Sequence, residues 1–427
     1  MPPRGRWEGP RSTGIPGIAQ PARRTRHPGS LGAWRARRYG ARIDVSPDRL
    51  IRPRRARLAS GACAVALRAV LVLASGCALL ATPQGPPRAS QSAQRLAPGP
   101  FRVLSADVAL EDRAHGRTLA TTVWWPAGAP GPAPLLVQAH GFLANRTGAR
   151  YVARALASHG WVVVAATHPT TTLFAPGGPK LEDVVRQPAD VSFLIDRVLA
   201  DDDGMPQLPP IDPARIAVMG HSLGGLTATL AAYHPRLRDP RVAAAISIAG
   251  PMTPFEPRFF ATARVPFLMI AGSDDVIVDW RTNAFVVLDR VPGGTLVLLA
   301  GASHTGFDDT ASGLPRVLDN PDGLGCWVLE RTLHLDTALE KLRAQSEEGD
   351  GVDFEHGLVR PCAEPPPEAA MDPARQQIIT TLAVRAFLEA QLDPDPAVRL
   401  SAEKYLTGVL PRDFAEASVT TADAPAR

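Results

Sequence analysis

Lysine is almost missing from these 427 residues: Lys180, Lys341 and Lys404 stand beside a large excess of Arg, Ala and Pro. That is the mark of codon bias and carries no function. A basic body is missing too. The formal charge of +4 arises at the amino terminus, where residues 1–76 hold 16 Arg against Glu8, Asp44 and Asp48. The remainder sets 30 Lys and Arg against 39 Asp and Glu, and an acidic body of this kind excludes nucleic acid as a partner. The alternating ligands of a calcium loop are also absent. Asp201-Asp202-Asp203-Gly204 is a contiguous acidic run and reads as a solvated turn, so no metal is expected. Cysteine is limited to Cys63, Cys77, Cys326 and Cys362, which excludes a disulfide-built scaffold.

What is present divides the chain. Residues 1–57 are Arg, Pro and Gly without an apolar period, a segment that is either unordered or not translated at all. Residues 58–82 form an apolar run after a basic stretch, as in an export signal. The run contains Leu73-Ala74-Ser75-Gly76-Cys77, where small residues before a cysteine resemble the lipobox of bacterial lipoproteins. Three readings stay open: a lipid anchor at Cys77, a cleaved signal, and an uncleaved membrane anchor. All three export the rest of the chain, through a linker at 83–99 rich in Pro, Gln, Ser and Ala. Export leaves Cys326 and Cys362 as a pair in an oxidising compartment. The expected disulfide closes a 36-residue span and stabilises by roughly 3–4 kcal/mol on the chain-entropy model.

The body, 100–392, is long enough for one large domain. Its centre is Arg215 to Tyr233, where the apolar run Ile216 to Met219 meets Gly220-His221-Ser222-Leu223-Gly224 and a small-residue helix follows. A Gly-x-Ser-x-Gly pattern between strand and helix lifts the serine hydroxyl to the top of a sheet, which makes Ser222 the candidate nucleophile. Ahead of it, Phe101 to Leu110 and Thr118 to Trp125 read as a hairpin, and Leu135 to Ala139 and Trp161 to Ala166 as buried strands. His140-Gly141-Phe142 follows the first of these. The backbone N–H groups of Phe142 and of Leu223, the residue after the nucleophile, are the expected oxyanion donors. His168 leaves the second buried strand, either facing the pocket or serving as a structural histidine.

Beyond the nucleophile, Val242 to Ile248, Val265 to Ala271 and Thr295 to Leu299 continue the alternation of strand and helix. This predicts a mostly parallel central sheet with helices on both faces. The second run ends in Gly272-Ser273-Asp274-Asp275, and Asp275 is preferred over Asp274 as the triad acid. The third leads to His304 among small residues, the candidate general base. The order Ser, Asp, His is that of the α/β-hydrolase fold. Residues 308–373 read as an insertion holding both late cysteines, with a helical piece near Trp327 to Gln345, placed to form a lid or wall. A helix at Ala374 to Leu392 packs back on the sheet, and 393–427 read as a loosely attached tail.

At His140-Gly141-Phe142, Ser158 to Val164, Arg186 to Asp196 and Gly220 to Gly225, the chain resembles exported bacterial proteins called predicted dienelactone hydrolases. These are similar to platelet-activating-factor acetylhydrolases and, more distantly, to cutinase-like polyester hydrolases. The resemblance spans about Pro100 to Leu392. It implies an α/β-hydrolase acting on carboxylic esters, with Ser222, Asp275 and His304 matching the triad. True dienelactone hydrolases use cysteine where this chain has Ser222, so their substrate is not carried over. The expected activity is ester cleavage through an acyl-enzyme, needing no cofactor, on a small-molecule or lipid ester. Phospholipid acetyl esters and polyesters are the enzyme alternatives, and a catalytically silent surface-binding lipoprotein is the alternative of another class. A peptidase needs a propeller or full cap, for which this length leaves no room.

Overall fold

Ser90 opens the described chain: its hydroxyl accepts the N–H of Ala93 and caps a short helix, α1 (Gln91–Leu96). The computed structural model describes residues 90–200, 204–312, 318–354 and 359–423, all within the unit Ala81–Arg427. The export segment, Cys77 and the Asp201 to Asp203 run lie outside the described residues.

Strands β1 (Val103–Asp112) and β2 (Arg117–Pro126) form the expected hairpin, and β3 (Ala133–Ala139) follows. Helix α2 (Arg150–Ser158) ends where Gly160 takes φ +98°, and β4 (Val162–Thr167) begins just beyond it. A 3₁₀ segment (Leu181–Arg186) leads into α3 (Gln187–Leu199), whose second residue is Pro188, a position where the missing N–H costs no helical bond. Then come β5 (Ile211–His221), α4 (Leu223–Tyr233), β6 (Val242–Ile248), the short α5 (Pro257–Phe260), β7 (Phe267–Gly272), α6 (Trp280–Arg290) and β8 (Thr295–Leu299). The insertion holds two helices where the sequence suggests one piece, α7 (Asp322–Thr332) and α8 (Leu335–Gln345). Helix α9 (Pro373–Leu392) starts at Asp372, which accepts the N–H groups of Ala374 and Arg375.

Among the described residues nine strands, the last being β9 (Ala417–Thr421), form one sheet in the order β1-β2-β4-β3-β5-β6-β7-β8-β9. The run from β4 to β8 is parallel and the pairs at either end are antiparallel. Central strands buried on both sides divide their side chains between two cores. Leu135, Val137, Ile216 and Val218 face α3, α4 and α6, whereas Leu136, Ala217 and Met219 face α2 and α9. Every parallel strand therefore ends at the same edge, where the β3, β5, β7 and β8 loops meet.

Two boundaries differ from the sequence reading. Residues after Asp393 do not hang as a tail: α10 (Pro396–Lys404) follows, and β9 (Ala417–Thr421) adds antiparallel to β8 as the last strand. Tyr405, Leu406, Leu410 and Phe414 are buried in the core of the α2 and α9 face, and that burial fixes the segment. Likewise the end of the presumed linker is ordered. Ser92 in α1 donates to Asp413 at 2.7 Å, and Arg95 pairs with Glu389 at 2.6 Å, so α1 is held against the carboxy-terminal helices.

Candidate active site

The turn after β5 carries Ser222 at φ 55° and ψ −121°, a conformation that costs a side-chain-bearing residue about 1–3 kcal/mol. The surroundings hold it there. Ser222 donates its N–H to the carbonyl of Ile248 at 2.8 Å, and its own carbonyl accepts from Gly225 and Leu226. The flanking glycines are sterically required. A Cβ on Gly220 would lie 2.0 Å from the carbonyl oxygen of Gly224, and one on Gly224 would lie 2.1 Å from that of Ala139.

Across the same edge, His304 Nδ1 lies 2.7 Å from Asp275 Oδ2, with both side chains buried. The other Asp275 oxygen accepts the N–H groups of Ile277 at 2.9 Å and Val278 at 2.7 Å, which orients the carboxylate. Asp274 turns elsewhere and accepts the hydroxyl of Ser273, while Asp279 caps the next helix. The structure therefore brings Asp275 to His304, not Asp274. With the Nδ1 proton held by Asp275, the remaining lone pair of His304 is on Nε2. Burial opposes a charge on this ring, but the charge and hydrogen bond of Asp275, with Asp322 and Asp308 behind it, outweigh burial and raise its pKa.

Ser222, His304, Phe142 and Leu223 line one cavity of about 280 Å³. The walls are mostly aliphatic. Leu181, Val184 and Leu226 close one side, and the insertion supplies Val328, Leu329, Leu335 and Leu342 as well as Val359 and Pro361. The insertion is thus a wall of the pocket, fastened by the expected disulfide between Cys326 and Cys362.

Several residues beyond the expected triad and oxyanion donors matter to the site. His221 packs its ring 4.7 Å from that of His304, and its Nε2 lies 3.1 Å from the His304 carbonyl oxygen. Burial, and then the nearness of His304, hold the His221 pKa well below the usual value, so the ring is a neutral brace. His140 is likewise kept neutral, at about 3, by burial and by His168. Its Nδ1 contacts the Gly141 carbonyl at 2.7 Å and its Nε2 accepts the His168 N–H at 2.8 Å, which ties the Phe142 loop to the end of β4. His168 does not face the cavity. It is buried against Asp190 at 2.7 Å, and Asp190 pairs with Arg117 on β2. Asp322, fully buried, accepts the N–H groups of His304 at 2.9 Å and Thr305 at 2.7 Å. Tertiary contact reveals the pairings of His140 with His168, His168 with Asp190, His221 with His304 and Asp322 with His304.

A mostly parallel sheet flanked by helices, with a strained serine at the head of α4 and a histidine–carboxylate pair on later loops, defines an α/β-hydrolase. Comparison with known proteins narrows the class: residues 80–317 match the family described as PET hydrolase-like, and the chain belongs to that family. It is similar to cutinase est2 of Thermobifida alba, with 30% identity over 169 residues, covering 38% of this chain and 50% of that protein. Cutinase 2 of Thermobifida cellulosilytica is 29% identical over 169 residues, covering 38% and 57%. Cutinase cut1 of Thermobifida fusca is 29% identical over the same length, covering 38% and 47%. The chain spans about half the length of these curated relatives. The family stands on the polyester-hydrolase side of the resemblance read from the sequence, which set predicted dienelactone hydrolases nearer.

Proposed function

We propose that the chain is an exported serine hydrolase that cleaves carboxylic esters through an acyl-enzyme. The observation that carries this reading is the bonded Asp275–His304 pair opening into the same cavity as a serine held at positive φ. In the proposed reaction Ser222 Oγ attacks the ester carbonyl while His304 Nε2 takes its proton, and Asp275 stabilises the imidazolium. The N–H groups of Phe142 and Leu223 hold the oxyanion, the alcohol leaves with the proton from His304, and water repeats the sequence to release the acid. Export is supported by the basic and apolar amino-terminal stretch and by the Cys326–Cys362 disulfide, and Cys77 is the proposed point of membrane attachment.

The family match and the cutinase names favour polyesters as a second reading of the substrate. The walled, aliphatic cavity supports an ester with one apolar arm. Its polar lining includes Thr305 and Asp308 beside His304, where the leaving oxygen must collect its proton, as well as Thr253, Asp279, Asn283 and Thr310. The aliphatic side at Leu181, Val184 and Leu342 therefore suits the acyl chain. Hydrolysis of p-nitrophenyl acetate, butyrate, hexanoate and octanoate tests this. The kcat/KM is expected to rise with chain length, by up to about fourfold per buried methylene. Leu335→Trp, at a half-buried wall position, should lower the octanoate-to-acetate ratio by about tenfold or more. A flat series, unaltered in this variant, would exclude the acyl assignment, and inactivity on every ester would exclude the ester reading.

A further inference from the structure

We propose that Asp322, supplied by the insertion, is a positioning residue of the active site: it fixes the His304 loop against Asp275 and places a second negative charge behind the imidazole. The proposal rests on the ester-hydrolase reading, because it assigns Asp322 to the support of the base in that reaction.

Asp322 is the first residue of α7 and is 0% exposed. Each of its oxygens is committed to the base loop, Oδ2 to the N–H of His304 at 2.9 Å and Oδ1 to the N–H of Thr305 at 2.7 Å. A carboxylate taken out of water is costly unless it is hydrogen-bonded and its charge is balanced. The two amides meet the first need. The imidazolium that forms on His304 during proton transfer meets the second, so the charge acts most strongly in the transition state. The groups facing His304 are the carboxylates of Asp275, Asp322 and Asp308, together with the neutral ring of His221.

The same helix is tied to the acid loop. Cys326 lies one turn along α7 from Asp322, and its disulfide partner Cys362 donates its N–H to the carbonyl of Val276 at 2.7 Å, next to Asp275. Helix α7 therefore grips the base loop through Asp322 and the acid loop through Cys362. Asp322 lies beyond the family-matched span of 80–317.

The test is the pH profile of kcat/KM for p-nitrophenyl butyrate in the full chain, for wild type, Asp322→Asn, Asp322→Glu and Ser222→Ala. An asparagine keeps one acceptor oxygen, turns an N–H₂ toward the other amide and removes the charge. Asp322→Asn should lower kcat by roughly 10- to 100-fold with little change in KM. Its acid limb should move to lower pH by about one unit, because one fewer anion favours the imidazolium of His304. Asp322→Glu keeps the charge on a longer arm, so it should lose rate while its limb stays near that of wild type. A limb midpoint does not depend on what fraction of a preparation is folded, so poorly folding variants still report. An Asp322→Asn limb that coincides with wild type, or a kcat within about twofold, would overturn the proposal. An inactive wild type, or a fully active Ser222→Ala, would instead overturn the ester reading on which it rests.

Discussion

Ser222→Ala is expected to lower kcat on any cleaved ester by about 10⁵- to 10⁶-fold, leaving a residue of catalysis from the oxyanion donors and binding alone. The size follows from the proposed role, since the hydroxyl forms the covalent bond and nothing else along the cavity replaces it. The fold should survive. Alanine has the same backbone as serine at φ 55°, and the bonds that hold the turn, from Ser222 N–H to Ile248 and from Gly225 and Leu226 to the Ser222 carbonyl, are all main chain. A thermal melt within a few degrees of wild type, beside the loss of rate, would separate chemistry from stability. Substantial remaining turnover would remove Ser222 from the mechanism.

Asp275→Asn carries the second largest expected effect, a fall in kcat of about 10⁴-fold. The carboxylate accepts from His304 at Nδ1, which leaves the Nε2 lone pair for the serine proton in the proposed reaction. An asparagine amide at that place offers an N–H to Nδ1 instead, so the imidazole proton moves to Nε2 and the base is lost. The bonds from Ile277 and Val278 to the other oxygen keep the side chain in position, so the change is one of tautomer more than of geometry. Asp274→Asn is the control, because its carboxylate accepts the Ser273 hydroxyl, and it should alter the rate by no more than a small factor. Equal losses in the two variants would contradict the assignment.

How far the sequence reaches into this site depends on the kind of signal. The elbow at Ser222 is local: two glycines, a strand before and a helix after are enough to describe it, and the steric need for Gly220 and Gly224 is the physical content of that pattern. The mostly parallel sheet follows from apolar runs that alternate with helices. The pairing of Cys326 with Cys362 is legible because they are the two cysteines of the body, outside the amino-terminal apolar run. The carboxy-terminal strand is different. Ala417 to Thr421 reads Ala-Ser-Val-Thr-Thr, too short and too polar to signal an edge strand, and it is β8 that gives it a structure. Helix α1 is six residues with one large apolar side chain, Leu96, and owes its place to Arg95, Ser92 and their partners some 290 to 320 residues away. Asp322 belongs to the same class, since it acts through tertiary hydrogen bonds and no spacing announces it; His140 and His221 stand inside motifs, but their contacts with His168 and His304 are tertiary.

The most direct test of the central claim is to treat the full chain with a fluorophosphonate and map the adduct by mass spectrometry. Phosphonylation of the peptide bearing Ser222, prevented by His304→Ala and by prior turnover of a slow ester, is the predicted result. An intact protein that takes up no label, or takes it up at another residue while Ser222 stays unmodified, would contradict the account.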